Sequence, residues 1–343
     1  MTVSALKGAT RALASVAVAA GVIAGAGLAH AQEHTFKWSH MSPVDSIVDQ
    51  ATKAMIAEIE EKTEGRVAFK LFPSGQLGDW TEVNEQVVRG VVDFATQPVS
   101  PSYDPRLQIR VLPYSVMNFA EVEEAYFGED AYLFDLMSEM MAENDMTALG
   151  VVAQGFGGGG FSECPEDVFD TEANSGLKMR FPPGNQAWQN MVAALGFEPT
   201  PVPWGELYLA LQTGLVDAQV GGQPYNTWTT HRDVTECWVQ YNTHFQNSFV
   251  FANSESFQEL SEADRQIVRD AVMTHGMASL DMARGEDQKY MDLMAEDGIE
   301  VIVPDEDQLA RIAKLAREQV WPVMDDVIGK DLMDMMREKA GLM

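Results

Sequence analysis

Residues 35–96 read TFKWSHMSPVDSIVDQATKAMIAEIEEKTEGRVAFKLFPSGQLGDWTEVNEQVVRGVVDFAT. The run 35–38 is a short β pattern. Residues 45–63 follow with apolar side chains at Ile47, Val48, Ala51, Ala54, Met55 and Ile59, the spacing of one helix face. Gly65 stops that helix, 67–72 form the next strand pattern, and Pro73-Ser74-Gly75 turns the chain. Residues 80–89 are helical again, and Gly90 closes them before a strand over 91–96. This β-α-β-α-β order predicts an α/β lobe with a largely parallel sheet, whose strand-end loops face a ligand crevice.

A second α/β unit follows a strand over 147–153 and contains a strand at 177–181 and helices at 186–195 and 205–212. Ser261, with Asp264 three residues on, is a fitting N-cap for a long amphipathic helix toward Asp297. At 1.5 Å per residue, about 35 residues reach ~50 Å, enough to cross both lobes. No internal repeat or low-complexity linker separates the units, so several strands are expected to join them, as in a hinged clamshell. The expected division is 32–153 plus 247–285 for lobe I and 154–246 plus 286–343 for lobe II.

The first residues combine a basic start (Lys7, Arg11), an Ala/Val/Gly-rich apolar run over 12–28 and a small-x-small site, Ala29-His30-Ala31. This pattern is expected to be a cleaved secretory signal peptide over 1–31 and not a membrane anchor, because the run is short and ends in a peptidase-type site. The mature chain then starts at Gln32 in the periplasm, with no later segment apolar enough for membrane insertion. Residues 1–31 carry Lys7, Arg11 and no acidic residue, so their removal takes the net charge from -29 to -31. Such an acidic excess repels nucleic acid and anionic lipid. It also suits a salty exterior, where screening confines repulsion to about 10 Å. An anionic ligand would need its own basic pocket.

The two cysteines, Cys164 and Cys237, can pair in an oxidising compartment; two buried free thiols are the other reading. The histidines of the mature chain have no zinc-type spacing with each other or with the cysteines, so neither a metal nor a cofactor is expected. Met137, Met140 and Met141, and Met333, Met335 and Met336, cluster at helical spacing and are assigned to packing, not to copper.

Four motifs in order, FPSGQLGD (72–79), GLKMR (176–180), PVPWGE (201–206) and ALQTGLVD (210–217), resemble those of the solute-binding proteins of tripartite ATP-independent periplasmic (TRAP) transporters. The resemblance spans essentially the whole mature chain and includes the family's long connecting helix. It implies a two-lobed receptor that closes on a small solute and delivers it to an ion-driven membrane permease.

It also implies that Arg180, at the end of the G-x-K-x-R strand, clamps a substrate carboxylate. A guanidinium offers a planar donor fork matched to a carboxylate and stays charged at working pH. Two stretches depart from the family. Where relatives commonly read Gln-Glu-Asn-Pro, this chain has QVGGQP (219–224); Gln223 either supplies the amide or sits in a rebuilt loop. Where many relatives carry a second arginine, this chain reads QGFGGGGF (154–161). No second basic residue is available there, which disfavours a dicarboxylate or sialic-acid-like solute. Gln154 and Phe156 are candidate contacts, and the glycine tetrad either opens space and backbone N–H groups to the ligand or serves as a hinge.

Ser39 and His40 at the end of the first strand, Asp79 and Trp80 after the Gly-Gln-Leu-Gly turn, Gln97, Trp204 where relatives often place a stacking Phe, and Tyr225, Asn226 and Trp228 complete the candidates. Each has core packing or lobe contact as its alternative. Together they fit a monocarboxylate with an apolar, aromatic or cationic remainder. An enzyme is the main competing class, yet the chain has no nucleophile elbow, no Rossmann fingerprint and no phosphate loop, since 157–160 lacks the following Lys-Ser/Thr. A subunit presenting ligand to a membrane sensor, or a receptor for a non-carboxylate solute, are the remaining alternatives.

Overall fold

The computed structural model describes residues 34–342 except 129, 172 and 173; the expected leader lies outside the described residues. Two sheets organise the chain. The first takes β1 (His34–Ser39), β2 (Val67–Phe72), β3 (Phe94–Gln97), β4 (Met146–Phe156) and, from much later in sequence, a strand over Phe245–Asn253. The second takes β5 (Gly158–Phe161), β6 (Lys178–Phe181), β7 (Glu198–Pro201), β8 (Ala218–Gly222), β9 (Cys237–Val239) and the short strand Glu300–Ile302. With Phe245–Asn253 as β10 and Glu300–Ile302 as β11, the orders are β2-β1-β3-β10-β4 and β11-β9-β5-β8-β6-β7. The protein is therefore a two-lobed α/β clamshell.

The opening β-α-β-α-β unit forms as its pattern predicts. The helix Ile47–Lys62 starts where the Ser46 side chain accepts from Asp49 N, and it buries Ile47, Val48, Ala51, Met55 and Ile59. β1 pairs in parallel with both β2 and β3. Trp38, fully buried, donates its indole N–H to Thr96 Oγ1 at 2.8 Å and stacks on Phe94, tying β1 to β3. The third strand begins at Phe94 and not at Val91, because the amides of Val91 and Val92 both turn back to Gln86 O. The methionine clusters lie in or against the core: Met137, Met140, Met141, Met333 and Met336 are buried, and Met335 packs beside them.

Three segments cross between the sheets. β4 runs into β5 through Gly157 alone, β9 returns to β10 through residues 240–244, and the helix Glu262–Glu296 spans the rest. This helix has 35 residues, is capped by Ser261 accepting from Asp264 N, and packs on β4 in one lobe and β11 in the other. At the first crossover, Asp287 of the helix accepts from Phe156 N at 2.9 Å. The glycine tetrad sits here, buried. A Cβ on Gly157 would lie 2.2 Å from the His244 ring, and one on Gly158 would lie 2.5 Å from Trp238 and from Val239 O. The tetrad thus allows two crossover strands to touch; the expectation that it opens space to the ligand is corrected.

Gly276 of the long helix lets it approach β4, since a Cβ there would stand 2.6 Å from Val151 O. Gly285, on the same helix, is exposed with nothing near its missing side chain. Urea unfolding should separate the two. Gly276→Val is expected to lose about 2 kcal/mol by overpacking, whereas Gly285→Ala gains about 0.5–1 kcal/mol from helix propensity. Equal effects would contradict this packing.

The three C-terminal helices, Glu306–Gln319, Trp321–Ile328 and Lys330–Lys339, fix the segment 105–117. The Trp321 indole N–H donates to Pro113 O at 2.8 Å and Arg317 Nη2 to Tyr114 O at 2.9 Å. Within that segment the 3-10 helix Pro105–Val111 buries Leu107, Ile109 and Val111, and Gln108 Oε1 accepts from the first amides of the helix Gln186–Ala194, Gln186 N and Ala187 N. Its remaining buried side chain, Arg110, points to the site.

Candidate functional site

A cavity of about 110 Å³ opens between the lobes, against the roughly 10–15 Å³ that one buried water requires. It is large enough for a small organic molecule. The first lobe contributes Ser42, Trp80, Gln154 and Ser248; the second contributes Arg180, Asn185, Trp188, Trp204 and Asn226. Arg110 and Val111 enter from the 3-10 helix.

Arg180 lies at the middle of β6, between β7 and β8, and is 3% exposed. Its Nε donates to Val202 O at 2.8 Å, and its guanidinium stands over the Trp204 indole, 5.3 Å from the ring centre. Among the described residues, no carboxylate forms an ion pair with it. Burial lowers its pKa to about 9, with Asp79 pulling in the other direction. At neutral pH the group is still charged, but its charge is poorly compensated by the protein. Burial also raises the Asp79 carboxyl, against the Trp80 and Thr81 amides and Arg180. His231, packed edge-on to Trp204, is lowered to about 4 by burial and is neutral.

Of the sequence-derived candidates, Arg180, Trp204, Gln154, Asn226 and Trp80 are brought together on the cavity wall. Gln154 Nε2 donates to Ser248 Oγ at 2.9 Å, and Asn226 Nδ2 donates to Gln223 Oε1 at 2.6 Å. Gln223 itself lines a smaller adjoining cavity with Ser46, Tyr225 and Glu286, and its Nε2 has no protein partner. Ser39, His40, Gln97, Asp79 and Phe156 lie outside the cavity lining. Ser39 Oγ bonds Phe72 O, His40 bonds Asp49 at 3.2 Å, Gln97 Nε2 bonds Trp80 O, Asp79 precedes the helix Trp80–Val88, and Phe156 packs edge-on against Phe119 and Phe245.

Sequence reading missed Arg110, Asn185, Trp188 and Ser248. Residues 154–161 supply no basic side chain, but Arg110 lines the cavity from a segment 44 residues before Gln154 in the chain. Arg110 follows Leu107 and Ile109 and precedes Val111, a charge set in a buried apolar run, and that mismatch was the available signal.

The bacterial extracellular solute-binding protein family 7 (DctP) matches residues 38–326. The chain belongs to that family. The family is one of solute-binding receptors of TRAP transporters. The chain is 26% identical over 273 residues to the sialic acid-binding periplasmic protein SiaP of Vibrio cholerae, covering 79% of this chain and 83% of that one. It is 24% identical over 306 residues to the ectoine-binding periplasmic protein TeaA of Halomonas elongata, covering 84% and 81%. Among solved structures, a TRAP solute-binding protein of Desulfovibrio salexigens with bound orotic acid superposes with a TM-score of 0.81 at 19% identity, over 90% of this chain and 99% of that one. One from Ralstonia eutropha with bound (S)-2-acetolactate gives 0.79 at 19% identity, over 89% and 98%. These structures share the two-lobed fold. Among the described residues of this family member, no helix is long and apolar enough to cross a membrane.

Proposed function

We propose that this TRAP receptor captures a small organic acid, holds its carboxylate on Arg180 and presents it to a membrane permease, after secretion with removal of residues 1–31. The observation that carries this reading is the bonding of Arg180: a buried guanidinium on the cavity wall, stacked on Trp204, whose one side-chain hydrogen bond among the described residues runs from Nε to Val202 O, so that both Nη groups are left for a ligand. Two parallel N–H···O bonds to a carboxylate would supply the compensation the folded protein lacks. Acids bound by two structural neighbours, orotate and acetolactate, support the same class. Trp80, Trp188 and Trp204 favour an apolar or aromatic remainder. A cationic remainder is set aside, because Arg110 would repel it.

Ligand contacts from both lobes favour the closed state, and the ligand shifts that equilibrium only by its preference for closure. Closure expels water, so the ion pair strengthens in a lower dielectric. The test is a thermal-shift screen of residues 32–343 against small carboxylates, amines and neutral polar solutes. Stabilisation by acids alone supports the reading, since a ligand of the folded state raises its stability. Stabilisation by amines or neutral solutes, with none by acids, would overturn it.

A further inference from the structure

Arg110 brings a second positive charge into a cavity of about 110 Å³. The residue is 7% exposed; its Nε and Nη1 have no hydrogen-bond partner and are sealed from open space, so a ligand would meet it through Nη2. No described carboxylate is ion-paired with it. The groups around it supply no counter-charge. Tyr126 uses its hydroxyl on Arg110 O at 3.4 Å, and His244, neutral because burial lowers it to about 3, bonds Gln246 instead. Arg180 has different neighbours, Asp79, His231 and Trp204.

A buried, unpartnered guanidinium destabilises a fold unless something pairs with it. The segment that carries it is held from both sides. Leu107, Ile109 and Val111 are buried on either side, Gln108 is bonded to the helix Gln186–Ala194, and the C-terminal helices hold the chain at Pro113 and Tyr114. The backbone that carries Arg110 is thus anchored before any ligand arrives, which lowers the ordering cost of binding. The same lining carries the indoles of Trp80, Trp188 and Trp204.

We propose that Arg110 is a second anion-binding residue of this cavity, so that the solute class is a small dianionic acid with a flat apolar middle, one end on Arg180 and the other on Arg110. This rests on the carboxylate reading of Arg180 and narrows it.

Calorimetric titration of residues 32–343 with benzoate, isophthalate and terephthalate tests the proposal, in the unsubstituted protein and in Arg110→Gln, Arg110→Lys and Arg180→Ala. A diacid should bind at least about tenfold tighter than benzoate, the scale of one added charged hydrogen-bonded contact. Arg110→Gln should bring that ratio toward one, and Arg110→Lys should keep part of it. The ligand-free Arg110→Gln protein should melt several degrees higher, because an uncompensated charge has left its interior. The proposal is overturned if benzoate binds as tightly as the diacids, if Arg110→Gln weakens all three acids by one factor, or if it lowers the ligand-free melting temperature as loss of a structural arginine would. Should Arg180→Ala leave every affinity unchanged while Arg110→Gln abolishes binding, the Arg180 reading fails and anion binding at Arg110 stands. Absence of binding by any acid overturns both.

Discussion

Replacing Arg180 by alanine should weaken binding of any stabilising acid by about 30-fold to several-thousand-fold, the 2–5 kcal/mol typical of truncating one partner of a buried, hydrogen-bonded charge pair. The size follows from where the residue sits. Arg180 is 3% exposed, so a carboxylate bound there has little water to fall back on once its partner is gone. Arg180→Lys keeps the charge but gives up the planar fork and the stacking on Trp204, and should fall between the two. Neither change should unfold the protein. The alanine variant loses one bond to Val202 O but also sheds a charge whose pKa burial has lowered to about 9. Calorimetric titration beside urea unfolding checks both parts; an affinity within a factor of about two of the unsubstituted protein removes Arg180 from the site.

Reduction of the Cys164–Cys237 disulfide should cost the second lobe about 4 kcal/mol, the chain-entropy value for a closed loop of 73 residues. The bond joins a residue just past β5 to the first residue of β9, and the loop it closes contains β6, β7, β8 and Arg180. Its Cα atoms are 5.1 Å apart, and Cys237 is fully buried against the sheet. A Cys164→Ala/Cys237→Ala double variant should match the reduced protein in urea unfolding, because both free the same loop. Two titratable thiols in unreduced, denatured protein, or unchanged stability on reduction, would contradict the bond.

Local signals in the sequence matched the structure where local physics decides the outcome. Apolar spacing at 47–59, the glycine stop at Gly65 and the Ser261 cap each name an element that forms with little help from distant residues. Three strands were illegible for a definite reason. Gly158–Phe161 is three glycines and a phenylalanine, a poor strand by propensity, and exists because β8 and β9 pair on either side of it. Glu198–Pro201 holds two prolines and is tolerated because β7 is an edge. Glu300–Ile302 is only three residues long and is held by β9, more than sixty residues away in the chain.

The site divides along the same line. Arg180 and Trp204 stand inside recognisable motifs, and their place on the cavity wall was readable. Arg110 has no motif around it. It reaches the cavity because a 3-10 helix is clamped between the helix Gln186–Ala194 and the C-terminal helices, contacts between segments up to 208 residues apart. Position-by-position reading of loop residues likewise placed Ser39, His40 and Phe156 near the ligand, where the folded chain uses them to join β1 to β2, anchor the first helix and fill the crossover core.

The measurement that bears most directly on the central claim is a crystal structure of residues 32–343 with the acid that stabilises it most. The account predicts closed lobes around one molecule whose carboxylate oxygens lie about 2.7–2.9 Å from the Nη atoms of Arg180. A closed structure with the acid held elsewhere, and Arg180 paired to a protein carboxylate, would contradict it.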